Sequence, residues 1–432
     1  MKTHLVIRLR RPAELRPPFW GDVVANKYGV PTILGAPVDR LLRSAGVPVW
    51  VTQEYPCAGG EWTTSEIERG LNCVYRLVLR RRGDLPAGLV EQVRLLPDVV
   101  EAHVADIATF ELSRPAAAAS GRRTDRASRR AVGLEQAHLV TQGHPEVKVA
   151  VLDTGMDEDH PELRSTLLRG RGRDFVNIVD GAEHFIGDHL GMDPEPVDRW
   201  VGHGTHVAGV IGGRGVAMPR GVAPRCRILN VRVLGAMRAG EEVVGAGLVD
   251  NINTAVKWTV DQGVDIINMS LGVRHSGGGV PYREVVDYAE GNGVSIVAAS
   301  GNNGSHDYYY PGAHPFVITV GALDRRGAVA DFSTYNRHVD LLAPGTDIYS
   351  SFLDGGYAFS SGTSHAAPFV TGAMALLHSR GRELGASVTD EGVKALLAHT
   401  SDRLDGRFKH PTAGYGRLNV PDALRLLSHR LN

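Results

Sequence analysis

The chain has 432 residues, 22% of them charged and 43% hydrophobic, with a formal net charge of −1. That composition is globular and leaves room for one large domain and a smaller one; it creates no field that would draw in nucleic acid or an anionic membrane. Three cysteines (Cys57, Cys73 and Cys226) form neither a disulfide framework nor a CxxC metal pair, and no window approaches the ~20 apolar residues of a membrane span. The first apolar run, Leu5 to Ile7, is too short for the core of a secretory signal. The expected compartment is the cytoplasm, with export by a signal-free route left open.

In chain order, "HLVIRL" (4–9) reads as a strand, "PVDRLLRSAG" (37–46) as a short helix ending at glycine, and "VPVWVTQEY" (47–55) as an alternating strand. "CVYRLVLRR" (73–81) is a third strand, "PAGLVEQVRLLP" (86–97) a second helix, and "VVEAHVADIATFEL" (99–112) a last extended stretch. The order β-α-β-β-α-β predicts a ferredoxin-like α+β unit over residues 1–113. Residues 114–131, "RPAAAASGRRTDRASRRA", hold six arginines and no apolar side chain larger than alanine. They read as an exposed, flexible linker.

From residue 132 to 432 the texture changes. "VKVAVLDTG" (147–155), "CRILNVRVLG" (226–235), "VDIINMSLG" (264–272), "VSIVAASGN" (294–302) and "FVITVGAL" (316–323) are near-continuous apolar runs. Such runs suit parallel strands covered on both faces. Helical patterns lie between them at 206–212, 246–263 and 282–293, so the fold class is α/β, a doubly wound, mostly parallel sheet. In such sheets functional groups gather beyond the carboxyl ends of the strands, where "DTG", "SLG" and "SGN" fall.

Three positions there carry chemistry. Asp153 follows the strand "VAVL" directly; alone it fits a catalytic acid, a metal ligand or a helix cap. "GHGTHVAG" (202–209) offers His203 at the helix entrance and His206 one turn inside. Zinc at this i, i+3 pair lacks a third ligand at helix spacing, which leaves His203 as a general base and His206 as a partly buried structural residue. In "SGTSHAAP" (361–368) Ser364 sits at a helix N-terminus, where unpaired N–H groups favour negative charge. That suits a nucleophile whose attack creates an oxyanion, and also a plain N-cap.

The order Asp153, His203, Ser364 is the handed-down order of one of the three serine-triad arrangements. The blocks "VAVLDTGMDEDHPEL", "GHGTHVAG", "INMSLG", "AASGNNG" and "SGTSHAAPFVTGAMAL" are similar to the signatures of the subtilisin-like serine proteases, over about residues 132–428. The resemblance implies a serine endopeptidase acting on polypeptides. Ser364 would be the nucleophile, His203 its base, Asp153 the residue orienting that base, and Asn302 an oxyanion donor. It also implies that an extended substrate is clasped by Ser270, Leu271 and Gly272 on one side and by the "RVLGA" segment, with Leu234 and Gly235, on the other. Tyr309, in "SHDYYYPG", stands where a small residue often opens the P1 pocket, and is expected to make it shallow. The family's usual methionine after the nucleophile is His365 here.

No cofactor is required by this reading and no metal ligand is assigned. Residues 212–224 lack Asp, Asn and Glu, so the strong calcium loop of many relatives looks absent. The seven acids of 174–198 read as a solvated loop, with a weak calcium site as the other reading. The N-terminal unit resembles the family's propeptide, an intramolecular inhibitor removed by cleavage in the linker. Two other readings are a silent or self-cleaving-only peptide-binding regulator, and an esterase or acyltransferase on the same triad.

Overall fold

The computed structural model describes residues 3–81, 83, 85–105, 107–110, 116–117, 126–179, 182–274 and 280–431. Near the N-terminus four antiparallel strands, β1 (His4–Leu9), β2 (Val49–Gln53), β3 (Val74–Leu79) and β4 (Val99–Val104), lie in the order β2-β3-β1-β4. The strand period of two divides their side chains. Leu5, Ile7 and Leu9, with Tyr75 and Leu77, pack under the helices Val38–Ser44 and Leu89–Arg94. Val6 and Val74 point the other way, into a core shared with the large sheet. All six residues of β3 are therefore buried, Arg76 among them.

Two parts of this region differ from expectation. The stretch 99–112 does not stay one strand: β4 ends at Val104, and a separate strand β5 (Ile107–Phe110) pairs antiparallel with Gly245–Leu248. The change of partner follows Ile107, which packs with Val176, Ile178 and Leu248 instead of the ferredoxin-like core. The linker is likewise not simply exposed. Its residues 114–115 and 118–125 lie outside the described residues, but Ala116–Ala117 form a strand, β6, on Ala358 and Phe359. Ala127–Ala131 form a helix that buries Arg129 over the Phe369 ring at 5.4 Å.

The large unit is built on a seven-stranded parallel sheet. Its spatial order is Val339–Pro344, Ile318–Leu323, Ser295–Ala299, Ile266–Met269, Lys148–Asp153, Arg227–Arg232 and Arg173–Asp174. Alternate residues serve opposite faces. Val149, Val151, Ile228 and Ile266 meet the helices His203–Gly212 and Thr363–Glu383. Ala150, Leu152, Leu229 and Ile267 meet Val249–Asp261 and Arg283–Gly291. From Lys148–Asp153 the chain first adds strands on one side and then crosses to Ile266–Met269 on the other. That reversal opens a crevice at the carboxyl end of Lys148–Asp153, and Asp153 is the residue standing in it.

Candidate active site

Asp153 closes its strand fully buried. Its Oδ1 accepts from the Thr154 N–H at 2.7 Å and from His203 Nδ1 at 2.7 Å. The second contact fixes the tautomer: Nδ1 carries the proton and Nε2 is the basic nitrogen. His203 opens its helix after Gly202, whose φ of 76° lies in the left-handed region. Gly204 matters as much, because a Cβ there would stand 2.2 Å from the Gly155 carbonyl oxygen. The His203 helix can approach the turn after Asp153 only with glycine at that contact.

Ser364 lies in the first turn of Thr363–Glu383, 3% exposed. Its carbonyl accepts from Ser270 Oγ at 2.7 Å, and Ser270 Oγ accepts from Asn268 Nδ2 at 3.0 Å. Asn268 Oδ1 accepts from Thr371 Oγ1, about two turns further along the same helix, at 2.7 Å. The helix is thus pinned to the end of Ile266–Met269. The next residue, His365, sets its ring 5.2 Å from that of His203, centre to centre. Ser364 Oγ and His203 Nε2 are both buried, and neither has a hydrogen-bond partner among the described residues. Asn302 accepts at Oδ1 from the Thr363 N–H (2.8 Å) and from Thr363 Oγ1 (2.9 Å). With its oxygen engaged on the residue before Ser364, its NH₂ is left as the donor at the site.

His206 and His365 are neutral. Burial and then the neighbouring His203 press the His206 pKa down to about 3, and its Nε2–H donates to the carbonyls of Ile348 and Ala358 at 3.0 and 3.2 Å. Burial, His206 and His203 hold His365 well below the usual imidazole range. His206 is the structural residue its place in the helix suggested.

Two anchors were not visible in sequence. Asp198, buried, accepts from the N–H groups of Trp200 (2.9 Å), Val201 (2.9 Å) and Gly202 (2.7 Å), and from Thr154 Oγ1 at 2.5 Å. Thr154 Oγ1 in turn accepts from the Gly204 N–H at 3.0 Å. The residue after Asp153 and the turn before His203 are therefore tied to one carboxylate. Glu162, also buried, accepts from four successive N–H groups, Gly215 to Met218, at 2.6–3.2 Å. A loop that turns its amides inward onto a carboxylate does not present an oxygen cage to a cation. The acidic stretch 174–198 is not simply solvated either. Asp174 is buried against the Arg232 guanidinium, with Asp188 and Asp193 beside it, their carboxylate oxygens within 4.8 Å of one another.

Of the clasp residues, Ser270, Leu271 and Gly272 follow Ile266–Met269 into the site. Leu234 and Leu271 are buried in one cluster, against which Ala108 of β5 also packs. Gly235 pairs with Ala246, one strand behind the edge that Gly245–Leu248 forms with β5. The reason is a hairpin, Gly235–Ala239 with Glu242–Leu248, that carries the chain out and back before the edge is formed. Tyr309 lies against Gly272 and Gly301: a Cβ at Gly301 would stand 2.6 Å from its ring and one at Gly272 3.2 Å from its Cβ.

The description "Subtilase family" fits residues 144–416 of this chain. The chain is 36% identical over 294 residues to a thermophilic serine proteinase of Bacillus sp. (strain AK1), covering 66% of this chain and 63% of that protein. It is 37% identical over 289 residues to the major intracellular serine protease of Bacillus subtilis (strain 168), covering 64% of this chain and 83% of that one. Among solved structures, the prenylagaramide maturation protease PagA matches with a TM-score of 0.55 at 30% identity, over 68% of this chain and 98% of that one. The chain belongs to the subtilase family and is by class a subtilisin-like serine endopeptidase.

Two outcomes are expected. Asp198→Asn replaces one of two oxygens, each of which accepts two of the four contacts, by an NH₂ that faces donors, so it should lower kcat roughly 10-fold or more with KM little changed; kcat and KM at wild-type level would show that the turn holds without the carboxylate. Glu162→Gln should cost on the order of 2–4 kcal/mol of stability through its unpaired amides, whereas a chelator should leave the wild-type melting temperature in place. A melting temperature that falls on chelation would locate a structural cation.

Proposed function

We propose that this chain is a self-processing serine endopeptidase whose N-terminal unit, residues 1–113, inhibits a catalytic unit beginning near residue 132. Ser364 Oγ attacks the scissile carbonyl. His203 Nε2 takes the hydroxyl proton and returns it to the leaving amine. Asp153 Oδ1 holds the Nδ1–H and stabilises the imidazolium. The tetrahedral oxyanion is met by the Asn302 NH₂ and by the Ser364 N–H, which at a helix N-terminus has no carbonyl of its own helix to bind. His206 and His365, being neutral, add no charge that would oppose the imidazolium.

One observation carries the reading: on either side of residues 111–115 the chain pairs by its backbone with strands of the catalytic unit. β5 pairs with the edge Gly245–Leu248, in the register Ile107 to Leu248 and Phe110 to Gly245. β6 pairs with Ala358 and Phe359, within six residues of Ser364. Both strands are held by backbone pairing, which is how an extended peptide is bound with little demand on its sequence. It also favours inhibition, because an external peptide needs the same edge.

The purified wild-type chain should therefore cut itself between Phe110 and Ala116 and then hydrolyse added peptides. Ser364→Ala should stay whole and should not react with a fluorophosphonate probe. An uncut wild-type chain that hydrolyses peptides at full rate would show the N-terminal unit to be no inhibitor, and labelling of Ser364→Ala would remove Ser364 as nucleophile.

Tyr309 supports a further statement about substrate. Its side chain stands against Gly272 and Gly301, the glycines beside Leu271 and Asn302. A ring there leaves room for a small P1 side chain and not for phenylalanine. Tyr309→Gly should raise kcat/KM for Phe at P1 by about 10-fold or more, since burying an aromatic side chain is worth about 1.5–3 kcal/mol; an unchanged ratio of Phe to Ala at P1 would place the ring outside the pocket.

A further inference from the structure

The N-terminal sheet meets the large unit through the face that its own helices leave uncovered, and much of that boundary is ionic. Arg76 on β3 donates to both oxygens of Glu54 (2.6 and 2.5 Å) and, across the boundary, to Asn251 Oδ1 at 2.9 Å. Lys257, on the helix Val249–Asp261, is paired with Glu66 and donates to the Pro56 carbonyl at 2.5 Å and to Asp261 at 2.8 Å. Tyr55 OH donates to Glu284 at 2.9 Å. At the first turn of the same helix stands Asp250, 3% exposed. Two histidines of the N-terminal sheet take its two oxygens: His4 Nε2 at 3.0 Å on Oδ2 and His103 Nε2 at 2.9 Å on Oδ1.

We propose that this clasp makes the docking of the N-terminal unit proton-dependent, so that the unit covers the cleft at acid and neutral pH and lets go in alkali. The consequence for activity rests on the inhibitory reading above; the docking itself does not.

The sign follows from what faces the clasp. Burial alone would lower the His103 pKa, but the charge of Asp250 and the hydrogen bond to it outweigh burial, and Glu101 and Glu284 add to them, so the imidazole is pushed up to about 9. Its side chain is 40% exposed, which weakens the pull by solvent screening. Once the units part, Asp250 is gone and His103 returns toward the ordinary histidine value of about 6.5. A pKa higher in the docked state than in the free one means that docking takes up a proton. The stabilisation is complete below the free value and is lost as pH rises through about 9. Glu54 acts in the same direction: burial pushes it up to about 7, with Arg76 opposing and Asp250 adding. The phenols of Tyr55 and Tyr282 face the same acids and are raised, chiefly by burial, so they stay neutral throughout. Burial would raise Asp250 itself, but His103 and His4 hold it well below the usual carboxylate range, so mild acid leaves the clasp intact.

The test is the rate at which a fluorophosphonate labels the purified protein with its N-terminal unit present, whether or not the chain has been cut, compared between wild type and His103→Gln at each pH. Gln donates to Asp250 but takes no charge, and the ratio of the two rates cancels the titration of the catalytic base. His103→Gln should label at least ~10-fold faster than wild type at pH 6 and equally fast at pH 10. A ratio that stays constant from pH 6 to pH 10 overturns the proposal. A second measurement needs no activity. In Ser364→Ala, Trp20 is buried under the Arg76 guanidinium at 4.0 Å and reports separation by its emission. The urea midpoint of its red shift should be higher at pH 6 than at pH 9, and this difference should shrink in both His103→Gln and Asp250→Asn. An undiminished difference in both variants also overturns the clasp. If no chain is labelled at any pH, the protease reading fails, and the urea comparison decides the clasp by itself.

Discussion

The contact on which the site depends is the approach of the His203 helix to the turn after Asp153. Hydrogen-bond length between Asp153 Oδ1 and His203 Nδ1 requires two backbones to come closer than side chains allow. Glycine at 204 and 155 makes the approach possible, since any Cβ at 204 would overlap the Gly155 carbonyl. Glycine also loses more conformational freedom on folding than other residues, so something must hold the arrangement still. Asp198 does this with one buried carboxylate that gathers three N–H groups of the preceding turn and the Thr154 hydroxyl. Burial raises the Asp198 pKa, and the four donors act against that. The acid–base pair is thus preorganised by backbone geometry and a second, non-reacting acid.

Two strands from the N-terminal side of the chain are held at the edges of the large unit. β5 pairs with Gly245–Leu248 and β6 with Tyr357–Ser360, and an unpaired edge attracts a strand. The placement of Ile107 among Val176, Ile178 and Leu248 then fixes the register of the segment by side-chain packing.

Much of this was legible in the sequence, and for a physical reason. Strands buried on both faces must be apolar throughout, so the parallel sheet announced itself, and residues at strand ends could be placed without coordinates. Asp153 closes a strand and Asn302 follows one, while His203 and Ser364 open helices, all four beside glycines. What stayed hidden depends on partners far away in sequence. Nothing near Arg76 or Lys257 marks them as buried, because the partner of Arg76 lies 175 residues further on and that of Lys257 191 residues back. The edge at Gly245–Leu248 was missed because a hairpin of ordinary composition delays it. Asp198, Glu162 and Asp174 look like surface acids until the N–H groups and the guanidinium that surround them are known. The strand 99–112 read as continuous because its apolar spacing does not change where its partner does.

The ionic character of the boundary between the two units follows from what that boundary must do. A buried ion pair contributes little net stability, because desolvation offsets most of the attraction, yet breaking it one-sidedly is costly. Such an interface fixes one geometry sharply without binding very tightly. While β5 and β6 belong to one chain, that is enough, since the tether keeps the N-terminal unit at high effective concentration. Once the chain is cut between them, only the dock remains, and its strength is set by charges such as His103 and Glu54 that respond to pH. An apolar boundary of the same size would hold equally well before and after the cut. Placing Arg76, Lys257 and Asp250 there makes release a property of the interface and not only of proteolysis.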